Sequence, residues 1–399
     1  MGTAALIFSL LSYLVTASNA VLPQSKLEDF LGGILFTESI TEAQLQQRWS
    51  EAKAGRTKVK IMIVPGHDDE AFGTAFRGLK EAGLTAQTGE YLAEILAKDP
   101  AFAVTLVRSR NGYESGFADY FLKEKENIRN FQLTYKSVLE AAVKAGKLSL
   151  ENQIDHGYAS SETVTKLYGL NKWANEMKMD IVIHLHFNDY PGRKQSSPGK
   201  YSGYSIYVPN FQFSNAKASR RLAEALDDEL KNFRSSSTLP KERGTIIDDY
   251  ELIAVGANNT LDSAVALIEY GYIYESLFID PSIRDAYLKE LAFQTYRGLK
   301  NFFGEAEVTE KTTLLPHFWT KDLRSGSRGR DVLALQAALK SEGIFPPPKT
   351  KDCFITGVFG SCTAKAVKEF QKKYGILPVS GEVGPQTRLE LNTLYAPAN

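Results

Sequence analysis

His67 ends the apolar run Ile61-Met62-Ile63-Val64-Pro65-Gly66, His184 and His186 end Ile181-Val182-Ile183, and Glu269 ends Ser263-Ala264-Val265-Ala266-Leu267-Ile268. Of the 5 histidines in 399 residues, most therefore stand where buried strands would stop. Two histidines and one carboxylate around an open fourth position form the ligand set of a hydrolytic zinc site, and a further carboxylate that does not touch the metal can move protons. Glu81 could join these residues from the turn before the next helical stretch. The competing reading is structural, because a single histidine near a strand end is more often a hydrogen-bonded core residue and one H-x-H pair is a weak signal. Residues two apart on a strand face the same way, so His184 and His186 point together with Val182 beneath them.

These side chains meet only if the elements carrying them share an edge. Val59 to Val64 reads as a central strand stopped by Pro65-Gly66. Leu84, Tyr91, Leu92, Ile95 and Leu96 then fall at helical spacing over 83–98, and Ala103 to Val107 resumes strand character. This β-α-β unit predicts an α/β fold: an open, twisted, mainly parallel sheet flanked by helices. Further strands are expected over 180–187, 204–208 and 263–268, and helices over 162–177, 215–233 and 283–303. Ligands collect at the carboxyl edge of such a sheet, where His67, His186 and Glu269 can converge. The charged, helix-periodic stretch 119–149 reads as inserted helices, for which a surface excursion is a commoner meaning than a lid over the crevice.

After Gly304 the periodicity fades and Pro316 marks a connector over 305–321. Beyond it, TGVFGSCTAKAV and SGEVGPQTRLEL share the pattern [ST]-G-x-x-G-x-x-T before a helical run. With a helix over 331–342, bounded by Gly343, they predict a small all-α three-helix domain over 322–396. The expected division is a signal peptide (1–20), a polar lead (21–57), a larger domain (58–304, with an insertion at 111–165), the connector and the small domain.

The chain is 43% hydrophobic and 24% charged, a globular balance, and its formal net charge is +0. That neutrality argues against nucleic acid or an anionic membrane surface as the main partner, since both attract a basic excess. Ala4 to Ala17 is nearly all apolar and Ser18-Asn19-Ala20 has the small-x-small form of a cleavage site, so export to the periplasm, cell envelope or exterior is expected. No Lys or Arg precedes that run, which leaves an uncleaved membrane anchor as the alternative. Cys353 and Cys362 flank FITGVFGS. In an exported chain the pair reads as one local disulfide rather than a metal site, the alternative being two separate buried thiols.

The chain resembles the zinc-dependent N-acetylmuramoyl-L-alanine amidases, whose pattern runs P-G-H-G-G, G-x-x-x-x-x-G-x-x-E, S-I-H-A-N and E-x-G-F. The counterparts here are Pro65-Gly66-His67-Asp68-Asp69, the stretch from Gly73 to Glu81 with Gly78, His184-Leu185-His186-Phe187-Asn188, and Glu269-Tyr270-Gly271-Tyr272. The order fits over about 58–303, with one residue fewer between Gly73 and Gly78 than in the pattern. The resemblance implies zinc (Zn2+) held by His67, Glu81 and His186, with Glu269 as the catalytic carboxylate. Asp68 and Asp69 replace two glycines, Val64 an aspartate and His184 a serine, and the stretch 111–165 is longer than the family's connection. His184 stays open as a fourth ligand, an orienting neighbour or a substrate contact; a role outside the ligand set is favoured, since a closed four-ligand site would block catalysis. Arg193, Lys194 and Lys200 read as ordinary loop polarity, and His156 and His317 as bystanders.

The small domain resembles three-helix peptidoglycan-binding domains through Leu335-Gln336, Gly357-Val358-Phe359-Gly360 with Thr363, Phe370-Gln371 and Gly381-Glu382-Val383-Gly384 with Thr387. Together the resemblances imply a cell-wall hydrolase that binds peptidoglycan and cleaves the amide between N-acetylmuramic acid and L-alanine; a monomer is expected. The alternatives are a zinc amidohydrolase or carboxypeptidase acting on another wall-peptide bond, or a wall-binding protein without catalysis.

Overall fold

Val59–Pro65 (β1) is buried at every position but Lys60, as a strand covered on both faces must be. It lies within a six-stranded sheet seen in a computed structural model that describes residues 39–397 apart from 150–158, 191, 195, 257–259, 261, 306–309, 349 and 351–352. The expected signal peptide, the start of the polar lead and His156 fall outside the described residues. The other strands are Phe102–Leu106 (β2), Ile181–Asn188 (β3), Ser205–Pro209 (β4), Ile246–Asp249 (β5) and Ala264–Tyr272 (β6), in the spatial order β2-β1-β3-β6-β4-β5. β2, β1, β3 and β6 are mutually parallel, β4 is antiparallel to β6, and β5 pairs in parallel with β4. The sheet is thus mainly parallel, as expected.

The helices are Glu42–Lys53 (α1), Glu81–Ala97 (α2), Ser115–Lys123 (α3), Lys125–Lys144 (α4), Ser161–Met177 (α5), Ala216–Leu230 (α6), Ser276–Ile279 (α7), Pro281–Phe302 (α8), Arg330–Ser341 (α9), Ser361–Lys373 (α10) and Pro385–Tyr395 (α11). One sheet face, with Ile61, Ile63, Ile183, Leu185, Ala266 and Ile268, packs against α2, α6 and α8. The other, with Met62, Val64, Val182, Val265 and Leu267, is covered by Leu170 and Ala174 of α5. The inserted helices α3 and α4 are present, and Ile128, Phe131, Tyr135 and Leu139 cluster with Tyr168 of α5, so the insertion thickens that helical layer. β5 was not anticipated from the sequence: Ile246-Ile247-Asp248-Asp249 has only two apolar residues, and its pairing with β4 supplies the rest.

In the small domain the sequence repeat has a hydrogen-bonding cause. Gln336 of α9 accepts from the backbone N–H groups of Thr356 and Gly357, both at 2.9 Å, and donates to Thr363 Oγ1 at 2.9 Å. Gln371 of α10 does the same one repeat later: it accepts from Gly381 N at 2.9 Å and donates to Thr387 Oγ1 at 3.0 Å. Each buried amide thereby satisfies the turn that starts the next helix. Cys353 and Cys362 are joined by a disulfide.

The part of the connector stretch from 312 to 319 is packed. Leu314 and Trp319 are buried, and buried Glu290 of α8 accepts from Thr313 N at 2.7 Å and Thr312 Oγ1 at 3.0 Å. Trp319 donates its indole N–H to the Asp331 carbonyl at 2.9 Å and its backbone N–H to Asn392 Oδ1 at 2.8 Å. Gly357 sits so close to α8 that an added Cβ would lie 2.7 Å from Ile283 Cδ1. Leu314, Leu315 and Trp319 are apolar residues without helical or strand period, so the sequence showed a gap where the fold has a packed strap. Trp319→Ala should lower unfolding stability by about 3–5 kcal/mol, the usual cost of emptying a buried aromatic site; a denaturant midpoint equal to that of the parent would mean the stretch is a free tether.

Candidate active site

The parallel register decides which side chains can meet. Leu185 pairs with Pro65 and His186 with Glu269, so the ends of β1, β3 and β6 lie side by side. β1 ends at Pro65, and His67 follows with φ 64, in the left-handed region that a residue with a Cβ rarely occupies. Glu81, expected in the turn before α2, is its first helical residue, where the helix dipole favours a negative charge.

These pieces bring three donors to one point. One ligand atom each from His67, Glu81 and His186 lies within 4.8 Å of the other two. His67 Nε2 is 3.2 Å from Glu81 Oε2, and His186 Nδ1 is 3.0 Å from Glu81 Oε1. The two rings stand edge to face, 5.1 Å apart at 78°. Glu81 is buried and accepts from Phe187 N and Thr74 N, each at 3.1 Å. His67 Nδ1 faces the Ala71 carbonyl oxygen at 3.2 Å. That oxygen can only accept, so the ring proton belongs on Nδ1 and the Nε2 lone pair turns toward the Glu81 carboxylate. A lone pair and a carboxylate oxygen at that distance repel unless a proton or a metal cation lies between them. The donor set therefore fits a divalent ion.

The electrostatics agree. Burial pushes Glu81 up, but His67 and His186 outweigh it and hold the carboxyl well below its usual range. Burial lowers His67, yet Glu81 more than offsets this and the net shift is upward; His186 is shifted down, chiefly by burial. Glu269 moves the other way: burial first, then Glu81 and Glu242, push it well above the ordinary carboxylate value. Its Oε2 is sealed from solvent and has no hydrogen-bond partner among the described residues. His184 is on the same face of β3, one step below His186, but lies outside the three-donor group. Burial takes it down to about 3, and its Nε2 is also without a partner among the described residues.

Several supports were invisible in the sequence. Arg108, buried, donates to the carbonyls of Gly66 at 2.7 Å and Ala82 at 2.8 Å, tying the residue before His67 to the residue after Glu81. Buried Glu242 accepts from Tyr207 OH at 2.6 Å, Asn188 Nδ2 at 2.8 Å and Tyr272 OH at 3.2 Å, behind Glu269. Arg193 has its side chain largely buried, paired with Asp189 at 2.6 Å, and Asp189 in turn accepts from Thr74, whose N–H holds Glu81. Arg193 thus braces the loop that holds Glu81, while Lys200 lies over the rings of Tyr190 and Tyr201. His317 is remote from this edge and faces Asp331 in the small domain.

Residues 61–301, well over half of the chain, match the family described as N-acetylmuramoyl-L-alanine amidase. The chain belongs to this amidase family. Residues 328–391 match a family described as a peptidoglycan binding domain. The amidase is similar in fold to the CwlD amidase of Clostridioides difficile solved with the GerS lipoprotein, at 13% identity over 62% of this chain and 99% of that one with a TM-score of 0.41. It is also similar to the N-acetylmuramyl-L-alanine amidase of Mycobacterium smegmatis, at 15% identity over 62% and 99% of the two chains with a TM-score of 0.39. No match was found among curated proteins. The amidase is a hydrolase with peptidoglycan as its partner. No helix among the described residues is long and apolar enough to cross a membrane.

Two glycines set the closeness of the donors. A Cβ on Gly66 would lie 2.2 Å from the His186 ring, and one on Gly73 (φ +71) would lie 2.3 Å from Glu81 Oε2. Gly73→Ala should therefore displace the carboxylate and lower amidase activity about 100-fold, as misplacement of a catalytic group by an ångström does. Gly78 (φ +80) has nothing within 4 Å of an added Cβ, so Gly78→Ala carries only the backbone strain and serves as the control. Equal activities for the two variants would contradict this geometry.

Proposed function

We propose that His67, Glu81 and His186 hold a zinc ion and that Glu269 carries the proton during hydrolysis of the amide between the lactyl group of N-acetylmuramic acid and L-alanine. The observation that carries this reading is the three-donor group meeting at one edge with Glu269 Oε2, without a partner among the described residues, on the neighbouring strand. Zinc bound there would supply Lewis acidity, bringing a water's pKa towards about 7 and polarising the scissile carbonyl.

The chain's own residues do the rest. Glu269, with its raised proton affinity, takes a proton from the attacking water and delivers it to the departing alanine nitrogen. Asn188, Tyr207 and Tyr272 keep the neighbouring Glu242 carboxylate occupied, which leaves Glu269 the one of the two with an open oxygen. His184 stays neutral and fills the space beneath His186 without joining the ligand set. The binding domain, packed on the amidase domain through residues 312–319, keeps the site close to wall material and raises the local concentration of substrate. The amidase works outside the cytoplasmic membrane, where its substrate is.

Glu269→Gln should lower the turnover of soluble muropeptides by at least about 100-fold while bound zinc stays stoichiometric. Mass spectrometry of the parent digest should find the new amine on L-alanine. Undiminished turnover in the variant would remove Glu269 from the reaction, and a new amine elsewhere in the peptide would indicate another wall-peptide bond.

A further inference from the structure

Where the family pattern has glycines after the first histidine, this chain has Asp68 and Asp69, and where the family has a short connection it carries the helices of 111–165. In the structure Asp68 meets both ends of that stretch, Tyr113 at its start and Lys166 on α5 directly after it. Lys166, on the face of α5 turned to the loop, places Nζ 2.9 Å from Asp68 Oδ2 and 2.7 Å from Glu70 Oε2, with Glu162 at 3.7 Å. The Tyr113 hydroxyl donates to the same Asp68 oxygen at 3.2 Å, and Lys166 Nζ lies 5.5 Å from the centre of the Tyr113 ring. Both Lys166 and Asp68 side chains are mostly buried, at 19% and 13% exposure, so this is a held contact and not a surface pair.

The contact is transmitted to the site through the backbone. The other Asp68 oxygen, Oδ1, accepts from Ala71 N at 2.8 Å and Glu70 N at 3.1 Å, and Asp68 N donates to the Ala71 carbonyl at 3.2 Å. That same carbonyl accepts from His67 Nδ1 at 3.2 Å, which orients Nε2 toward Glu81. Glycine at position 68 could make none of the side-chain links.

We infer that Lys166 and Tyr113 are positioning residues that act through Asp68 to fix the His67 ring, so that the two ends of the insertion, Tyr113 before α3 and Lys166 on α5, set the metal affinity of the site from outside it. This rests on His67 being a metal ligand. His67 needs such a hold, because its φ of 64 is a conformation that an L-residue readily leaves. Neighbours that orient a ligand are typically worth 10- to 100-fold in metal affinity.

The test is the zinc dissociation constant of the full chain, measured by competition with a chromophoric chelator. Lys166→Met and Asp68→Asn should each weaken zinc binding by about 10- to 100-fold, Lys166→Arg should restore most of it, and the Lys166→Met/Asp68→Asn double variant should be no weaker than the worse single one. Should Lys166→Met fail to fold, Asp68→Asn and Tyr113→Phe carry the same measurement, because they keep the size of the side chains. Parent-like zinc affinity in the folded variants overturns the inference, as does a double variant whose losses simply multiply. Loss of the ligand reading itself is seen separately: a His67→Ala chain that binds zinc as tightly as the parent removes both.

Discussion

The Glu81 carboxylate is taken out of water and set between two imidazoles, and the architecture around the site answers the cost of that placement. A buried carboxylate needs donors for its lone pairs and a cation nearby. Phe187 N and Thr74 N supply the donors, and with His67 and His186 the carboxylate makes a group that could hold a metal ion. The groups come from β3, from the loop between β1 and α2, and from the start of α2, so the site forms only when the central sheet has its register. Arg108 then fastens the backbone just before His67 to the backbone just after Glu81.

Parallel pairing also separates the roles of the two acidic residues. Glu81 is pulled down by its histidines, whereas Glu269 is pushed up by burial and by the charge of Glu81. The two carboxylates thus hold opposite preferences for a proton, and titratable groups pushed apart in this way can serve different roles in one site.

His67, Glu81, His186 and Glu269 were legible because each stands at the end of a strand-like run or just before a helical one, and a parallel sheet gathers such ends. Arg108 and Glu242 were not, for a physical reason. Val107-Arg108-Ser109-Arg110 gives no sign that the first arginine is buried on carbonyls while the second pairs with Glu90 near the surface. Pro240-Lys241-Glu242-Arg243 reads as a solvated loop, and only tertiary packing against Tyr207 and Tyr272 buries its glutamate. β6 extends to Tyr272, past the expected end at Glu269, because Tyr270 and Tyr272 are packed as core residues. In the small domain the glycine–threonine repeat was visible, while the glutamines that explain it lie on the preceding helices and show their function only once the turns fold back on them.

The most direct test of the central claim is X-ray absorption at the zinc edge on the purified chain. One zinc per chain is expected, with two imidazole nitrogens and carboxylate oxygen at roughly 2.0–2.2 Å. A chain purified without stoichiometric metal that takes up none when zinc is added, or a spectrum lacking imidazole scattering, would contradict it.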